Sequence, residues 1–308
     1  MTTAEKVRSA LAHPKLPRAL ALAAFASHVV SLGAGYLVDD HTHRYFARGE
    51  TIPGGPRGVW EMYRFADGGA GVQRAIAEGF HPWWTSPSLK LAFFRPIPSL
   101  LRFVEEKAFG DHAVFPHLIS CALFVATVLV LHAAFRRWLG GAAAGLAALL
   151  FAIDDAHATT VTWIAARHSL LATLAIAASL YLFLRARDAG RVSYGAGVCF
   201  FLGLASSEAA LSALPLFALL VAVSDPRPPA ARARAVAPLV GALALWGAVY
   251  SALGHGAASS AYYVDPLHEP VSFAKAAVLR LPALGAAQIF LPPSEIASMQ
   301  PALGPIIA

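Results

Sequence analysis

The chain has 308 residues, of which 57% are hydrophobic and only 14% charged, with a mean hydropathy of +0.57. A soluble domain usually carries about 25% charge, so a soluble globule and a disordered chain are both excluded, and an integral membrane protein is the class that remains. The formal net charge of +6 lies between the apolar runs, which fits positive-inside topology and anionic lipid rather than nucleic acid. The runs are long and rich in Ala, Leu and Val, which predicts an all-α, polytopic helical bundle rather than a β-barrel.

Residues 1–18 contain Lys6, Arg8, Lys15 and Arg18, which places the N-terminus in the cytoplasm. The first helix is predicted over about residues 19–38, too long for a signal-peptide core and without a clear cleavage site. It runs directly into Asp39 and Asp40. A long outer loop, 41–112, is rich in Gly, Pro and Trp. Within it, 71–80 and 99–109 read as short surface helices, with Trp83 and Trp84 as interface anchors.

A second helix, about 114–134, ends at Arg136 and Arg137. A third, about 140–157, meets Asp154, Asp155 and His157. A fourth, about 168–184, stops at Arg185, Arg187 and Arg191. Two short apolar runs, about 192–205 and 209–223, are split by Ser206-Ser207-Glu208. Basic residues flank both ends of the pair, so a hairpin with Glu208 outside follows. A seventh helix spans about 235–253. Residues 271–291 are either an eighth span or a surface helix. The expected fold is thus one transmembrane domain over 1–308 with seven to eight helices. Cys121 and Cys199 both lie inside apolar runs and read as small core residues.

This topology gathers three acidic sites on the outer face: Asp39/Asp40, Asp154/Asp155 and Glu208. A partly desolvated carboxylate there suits a general base towards a hydroxyl acceptor, while ordinary solvated helix-end charges are the bland alternative. Asp39-Asp40-His41-x-His43 has the composition of a divalent-metal cluster, a minor reading beside solvated loop histidines. Arg95, after Phe93-Phe94, and Arg167, after Trp163, suit a lipid phosphate or a snorkelling interface role. The nucleotide-loop, dinucleotide, HExxH and GxSxG patterns are all missing, so no cofactor is required.

Taken in order, several stretches resemble a known pattern. Leu37-Val38-Asp39-Asp40-His41 resembles the Asp-Asp opening of the first outer loop in GT-C glycosyltransferases. The nearest group is the protein O-mannosyltransferase-like family that often carries tetratricopeptide repeats. Phe93-Phe94-Arg95-Pro96-Ile97 is similar to its Tyr-Arg-Pro-Leu, and His117-Leu118-Ile119 to its His-Leu-Val-Asn helix. The longest likeness runs from Leu149 through Thr160-Val161-Thr162-Trp163 and Arg167 to Ala172, and Ser206-Ser207-Glu208-Ala209-Ala210-Leu211 resembles Ser-Lys-Glu-x-Ala-Leu. The likeness covers about residues 20–225.

The resemblance implies a GT-C-like fold and a polyprenyl-phosphate sugar donor. It implies transfer of mannose or a similar hexose to a protein or glycan acceptor on the outer face; the high Ala, Arg and Gly content separately leans towards a bacterial inner membrane over the endoplasmic reticulum. By position it makes Asp39 and Asp40 catalytic and Arg95, Arg167 and Glu208 donor-binding, with His41, His43, Asp154, Asp155 and His157 around the cavity. The chain departs from the family at Asp154-Asp155, where His-Pro is usual, and at Ser207, where Lys is usual. The family also has more helices, so a truncated or shortened member is expected. A degenerate, lipid-linked-glycan-binding relative is the alternative, and a transporter the third.

Overall fold

The computed structural model describes residues 1–56, 58–260, 263–266 and 269–287. It is helical almost throughout. After α1 (Thr3–Leu11), helix α2 (Leu16–His28) runs into a 3-10 turn, Val29–Gly33. Next come α3 (Asp39–Ala47), strand β1 (Arg64–Asp67), α4 (Gly69–Ala77), strand β2 (Lys90–Ala92) and α5 (Pro96–Phe109). The apolar part follows: α6 (Val114–Trp138), α7 (Gly141–Ile153), α8 (Ala158–Thr162), α9 (Arg167–Asp188), α10 (Tyr194–Leu204), α11 (Ala213–Val223) and α12 (Pro229–Ala252). Strand β3 (Gly256–Ala258) and α13 (Pro270–Ala287) complete the described chain.

Four segments are long and apolar enough to cross a membrane: Leu16–Gly33, Val114–Trp138, Ile164–Asp188 and Pro229–Ala252. A fifth is added if Gly141–Ile153 and Asp155–Thr162, bent by 50°, form one broken span. The expected count of seven to eight is not reached, for a simple reason of length. Helices α10 and α11 have 11 residues each, about 17 Å of rise against a hydrocarbon core of about 30 Å. Helix α13 covers most of the predicted eighth segment and is not among the candidate spans; residues 288–291 of that prediction lie outside the described residues.

The first span corrects an expectation. It ends at Gly33, before the Asp-Asp pair, because Gly35 takes a left-handed φ of +70° that breaks the helix. The chain then turns and restarts at Asp39, so the two aspartates open α3 instead of closing the first span. The link between them is Val38, at φ 36° and ψ −106°, a strained conformation for a β-branched residue.

The packing is built from close helix contacts in two apolar clusters. One joins α2, α6 and α7 around Phe124, Ala148 and Val161; the other joins α9 to α12 around Phe183, Phe200, Phe217 and Trp246. Close approach depends on glycine. A Cβ on Gly197 would stand 2.7 Å from the Pro238 carbonyl oxygen, so α10 and α12 touch backbone to backbone. Helix packing of this kind through small residues is typical of membrane bundles.

A small antiparallel sheet, unanticipated from the sequence, has the order β1-β2-β3, with Asp67 opposite Lys90 and Leu91 opposite Ala257. It ties the long loop 34–113 to the chain that leaves α12. Both therefore lie at the same end of the bundle. At the opposite end α1 packs beside the start of α7, and Arg137 pairs with Asp188 at 3.0 Å.

Candidate functional site

The site is built around the irregular stretch 163–168, where the chain enters α9 through a 3-10 turn. Asp40 is fully buried. Its Oδ2 accepts the Leu37 N–H at 2.9 Å and its Oδ1 accepts the Ala165 N–H at 2.6 Å. The Ala165 carbonyl accepts the Tyr63 hydroxyl at 2.9 Å. The Tyr63 ring lies under the Arg95 guanidinium at 5.1 Å, and Arg95 pairs with Glu208 at 2.9 Å. Residues from five separate stretches thus meet through one chain of contacts.

Asp39, beside Asp40 at the start of α3, is half-buried. Burial, reinforced by the neighbouring Asp40 charge, pushes its carboxyl above the usual range. The two aspartates are therefore unlike. Asp40 is a buried acceptor that fixes the turn to Ala165, whereas Asp39 is the more accessible of the two and the harder to ionise; neither lines the cavity described next.

Arg95 and Glu208 face a cavity of about 520 Å³ that also takes in His168, Trp246, Tyr250 and Asp265. His168 Nδ1 lies 3.3 Å from Ser207 Oγ. Both Arg95 Nε and Nη2 engage Glu208 Oε2 at 2.9 Å, and the buried Glu208 Oε1 has no hydrogen-bond partner among the described residues. A larger hollow of about 820 Å³ lies at the opposite end, between α1 and the start of α7. Arg8 is its only charged lining residue among the described residues, whereas the smaller cavity gathers Arg95, His168, Glu208 and Asp265.

Arg167 does not line the cavity. It is 2% exposed, and its guanidinium donates to Ser120 Oγ at 3.0 Å, to the Pro116 carbonyl at 2.6 Å and to Glu105. These bonds anchor α9 to α5 and α6. Glu105 and Arg102 pair at 3.3 Å, Arg102 reaches Glu106 at 3.3 Å, and Glu106 holds Arg44 and Arg48 at 2.9 Å each. The Arg44 and Arg48 contacts hold the Glu106 carboxyl below its ordinary range, against the opposing effect of burial. Helix α5, expected to be a surface helix, is held to α3 and α9 by this buried ionic network.

His41 is exposed, with Nε2 3.2 Å from the Tyr36 carbonyl oxygen. His43 is fully buried, stacked on Phe65 at 5.9 Å and meeting Tyr63 edge-on at 4.6 Å. Burial and the Arg102 and Arg95 charges push its pKa down to about 3. The two histidines leave α3 on different faces, His41 exposed and His43 buried. Among the described residues no group of three His, Cys, Asp or Glu is placed to hold a metal.

Asp154 and Asp155 are exposed at the break between α7 and α8, where Asp154 caps the Ala156 N–H at 3.0 Å. His157 packs on Phe151 at 4.2 Å and Phe124 at 5.2 Å. None of the three lines the cavity. Trp83 and Trp84 are 82% and 71% exposed.

Sequence reasoning missed Tyr63, Trp246, Tyr250 and the ionic network of α5. Arg102, Glu105 and Glu106 were legible only as charges on an amphipathic surface helix. Compared with protein-family models, curated proteins and solved structures, the chain matches none.

Proposed function

We propose that this chain is a membrane glycosyltransferase that moves a hexose from a polyprenyl-phosphate donor to a hydroxyl acceptor at the membrane surface. One observation carries the reading. Asp40, Arg95 and Glu208, up to 168 positions apart in sequence (208 − 40), are joined through Ala165 and Tyr63 at one end of an apolar bundle. These are positions that the GT-C resemblance marks. The proposal takes that end as the outer face and extends the crossings to seven, with α10 and α11 as a tilted short hairpin. The opposite end then carries Lys6, Arg8, Lys15, Arg136, Arg137, Arg185, Arg187 and Arg191, in keeping with an inside position.

In the proposed reaction the acceptor oxygen attacks the anomeric carbon as its bond to the phosphate oxygen breaks. Asp39 takes the hydroxyl proton, and the lipid phosphate departs as an anion on the Arg95 side of the cavity. Asp40 holds the turn that presents Asp39. Val38 supports this division, because backbone strain is concentrated at functional loops.

A second reading, binding of lipid-linked glycans without turnover, is favoured by one specific observation. Arg167 donates to Ser120, Pro116 and Glu105, all protein groups, and Arg95 is already paired with Glu208.

Purified protein in lipid is assayed with labelled polyprenyl-phosphate hexose and peptide or glycan acceptors. Transfer by the native chain that falls by about 10²–10⁴-fold in Asp39→Asn, with folding intact, supports the enzyme. Native-rate transfer by Asp39→Asn removes Asp39 as the base. No transfer by the native chain, with polyprenyl phosphate co-purifying, establishes the binding reading instead.

A further inference from the structure

At the end of the bundle opposite the Arg95 cavity, the protein does little to hold α1. This helix has 9 residues, none of them buried, and an isolated helix shorter than about 12–15 residues is marginal in water. Its start is satisfied by a capping box: the Thr2 hydroxyl accepts the Glu5 N–H at 3.2 Å, and the Glu5 carboxylate accepts the Thr2 N–H at 2.7 Å. Its last turn is pinned to α7 by two glycines. A Cβ on Gly145 would overlap the Leu11 carbonyl oxygen, and one on Gly141 would meet Ala12 Cβ at 3.4 Å. Along the rest of α1, Ala4, Val7, Arg8 and Leu11 share one face by their spacing. They look across the hollow of about 820 Å³ to Leu139 and Leu146. Val7, Leu139 and Leu146 are apolar and exposed.

We propose that this hollow is a binding site for one anionic phospholipid, with its phosphate on the Arg8 guanidinium and an acyl chain against Val7, Leu139 and Leu146. Charge selects the occupant. Glu5, the one acid of α1, is engaged by the Thr2 N–H and lies 4.0 Å from the N-terminal ammonium. Arg8 has no ion-pair partner among the described residues. Lys6, Lys15, Arg18 and Arg136 add positive charge at the same end, so the local field favours an anion and disfavours a second copy of the same basic surface. A guanidinium grips phosphate oxygens in a bidentate way, and basic pockets beside spanning helices suit anionic head groups. A flat interface would satisfy an amphipathic helix without any hollow. Here α7 supplies a second, apolar wall, so a single lipid is enclosed. That lipid also completes α1, because it covers the apolar stripe that no protein group buries. The proposal is independent of the transfer reading and uses only the membrane location of the bundle.

The test is native mass spectrometry of the full chain released from detergent micelles, titrated with dioleoyl phosphatidylglycerol and, separately, with dioleoyl phosphatidylcholine. One phosphatidylglycerol is expected to be retained well above phosphatidylcholine. Arg8→Gln is expected to weaken that retention about ten-fold. Ala143→Trp, which fills the hollow from its α7 wall and keeps every charge, is expected to weaken it as well. Lys6→Gln removes the same charge from a residue that does not line the hollow and is expected to bind as the native chain does. Arg8 is exposed and unpaired, so its variant should keep the native circular dichroism. Should Ala143→Trp fail to fold, the contrast between Arg8→Gln and Lys6→Gln decides the matter. Equal retention of the two lipids by the native chain overturns the charge selection. Native-level retention by Arg8→Gln, or an equal loss in Lys6→Gln, overturns the site in favour of diffuse attraction to the basic end. A lipid-free dimer of the native chain that Ala143→Trp dissociates assigns the hollow to a second copy and also overturns it.

Discussion

Asp39 and Asp40 are adjacent and chemically identical, yet the structure assigns them opposite responses to the same substitution. Asp40 is fully buried and accepts two backbone N–H groups, from Leu37 at 2.9 Å and Ala165 at 2.6 Å. Asparagine there keeps one acceptor oxygen and turns its NH₂ towards the other N–H. One charge-assisted bond is lost and a buried donor is left open, a combined cost of about 3 kcal/mol. For a chain of this size that corresponds to a fall in Tm of roughly 5–10 °C. Asp39 is half-buried, and both burial and the Asp40 charge oppose its ionisation. Removing its charge relieves that opposition, so Asp39→Asn is expected to melt at or above the native temperature at pH 7 while losing sugar transfer. Thermal melts of the two single variants in the same detergent, followed by circular dichroism, measure the contrast. A Tm for Asp40→Asn within about 2 °C of native, or a larger loss for Asp39→Asn than for Asp40→Asn, would refute the division of roles.

Other perturbations follow from the same structure. Arg167→Gln breaks the buried contact to Glu105 and is expected to cost about 3–5 kcal/mol, read as loss of folded protein on size exclusion; a normally folded, donor-blind variant would instead make Arg167 a ligand. His43 stays neutral when folded down to about pH 3, while an unfolded histidine protonates near pH 6.5. The unfolded state therefore binds more protons below about pH 6.5, and stability is expected to fall as pH drops from about 6.5 towards 4; melts of His43→Phe should flatten that slope by the share of one proton, other buried histidines supplying the rest, and an unchanged slope counts against it. Val38 is 76% exposed and strained, so Val38→Gly loses little packing and should stabilise by up to about 1 kcal/mol in a melt, whereas a clear loss would show that the strain is not borne there. Gly197→Ala places a methyl 2.7 Å from the Pro238 carbonyl oxygen and should lower Tm by several degrees through separation of α10 from α12; a neutral result would mean that these helices yield easily.

Much of the bundle was legible in the sequence because a bilayer-spanning helix satisfies its own backbone and reveals itself by length and apolarity alone. Helices α6, α9 and α12 lie where the apolar runs predicted them, and the hairpin break at Ser206-Ser207-Glu208 appears as a turn into a 3-10 helix. The resemblance marked Asp40, Arg95 and Glu208, which the fold then brings together. Three things depended on contacts distant in sequence. The end of the first span was decided by Gly35 and by the His117 contact to its carbonyl at 2.7 Å. The small sheet pairs β2 with β3 across more than 160 positions (256 − 92), a pairing that no local pattern encodes. The fate of each charge was decided by its partner: Glu105 and Arg167 read as surface or interface charges until the fold buries them against each other. Hydrophobic length is a local property and is written along the chain. Whether a carboxylate is tied into the backbone like Asp40 or left half-buried and harder to ionise like Asp39 depends on which backbone N–H groups and charges the tertiary structure brings to it.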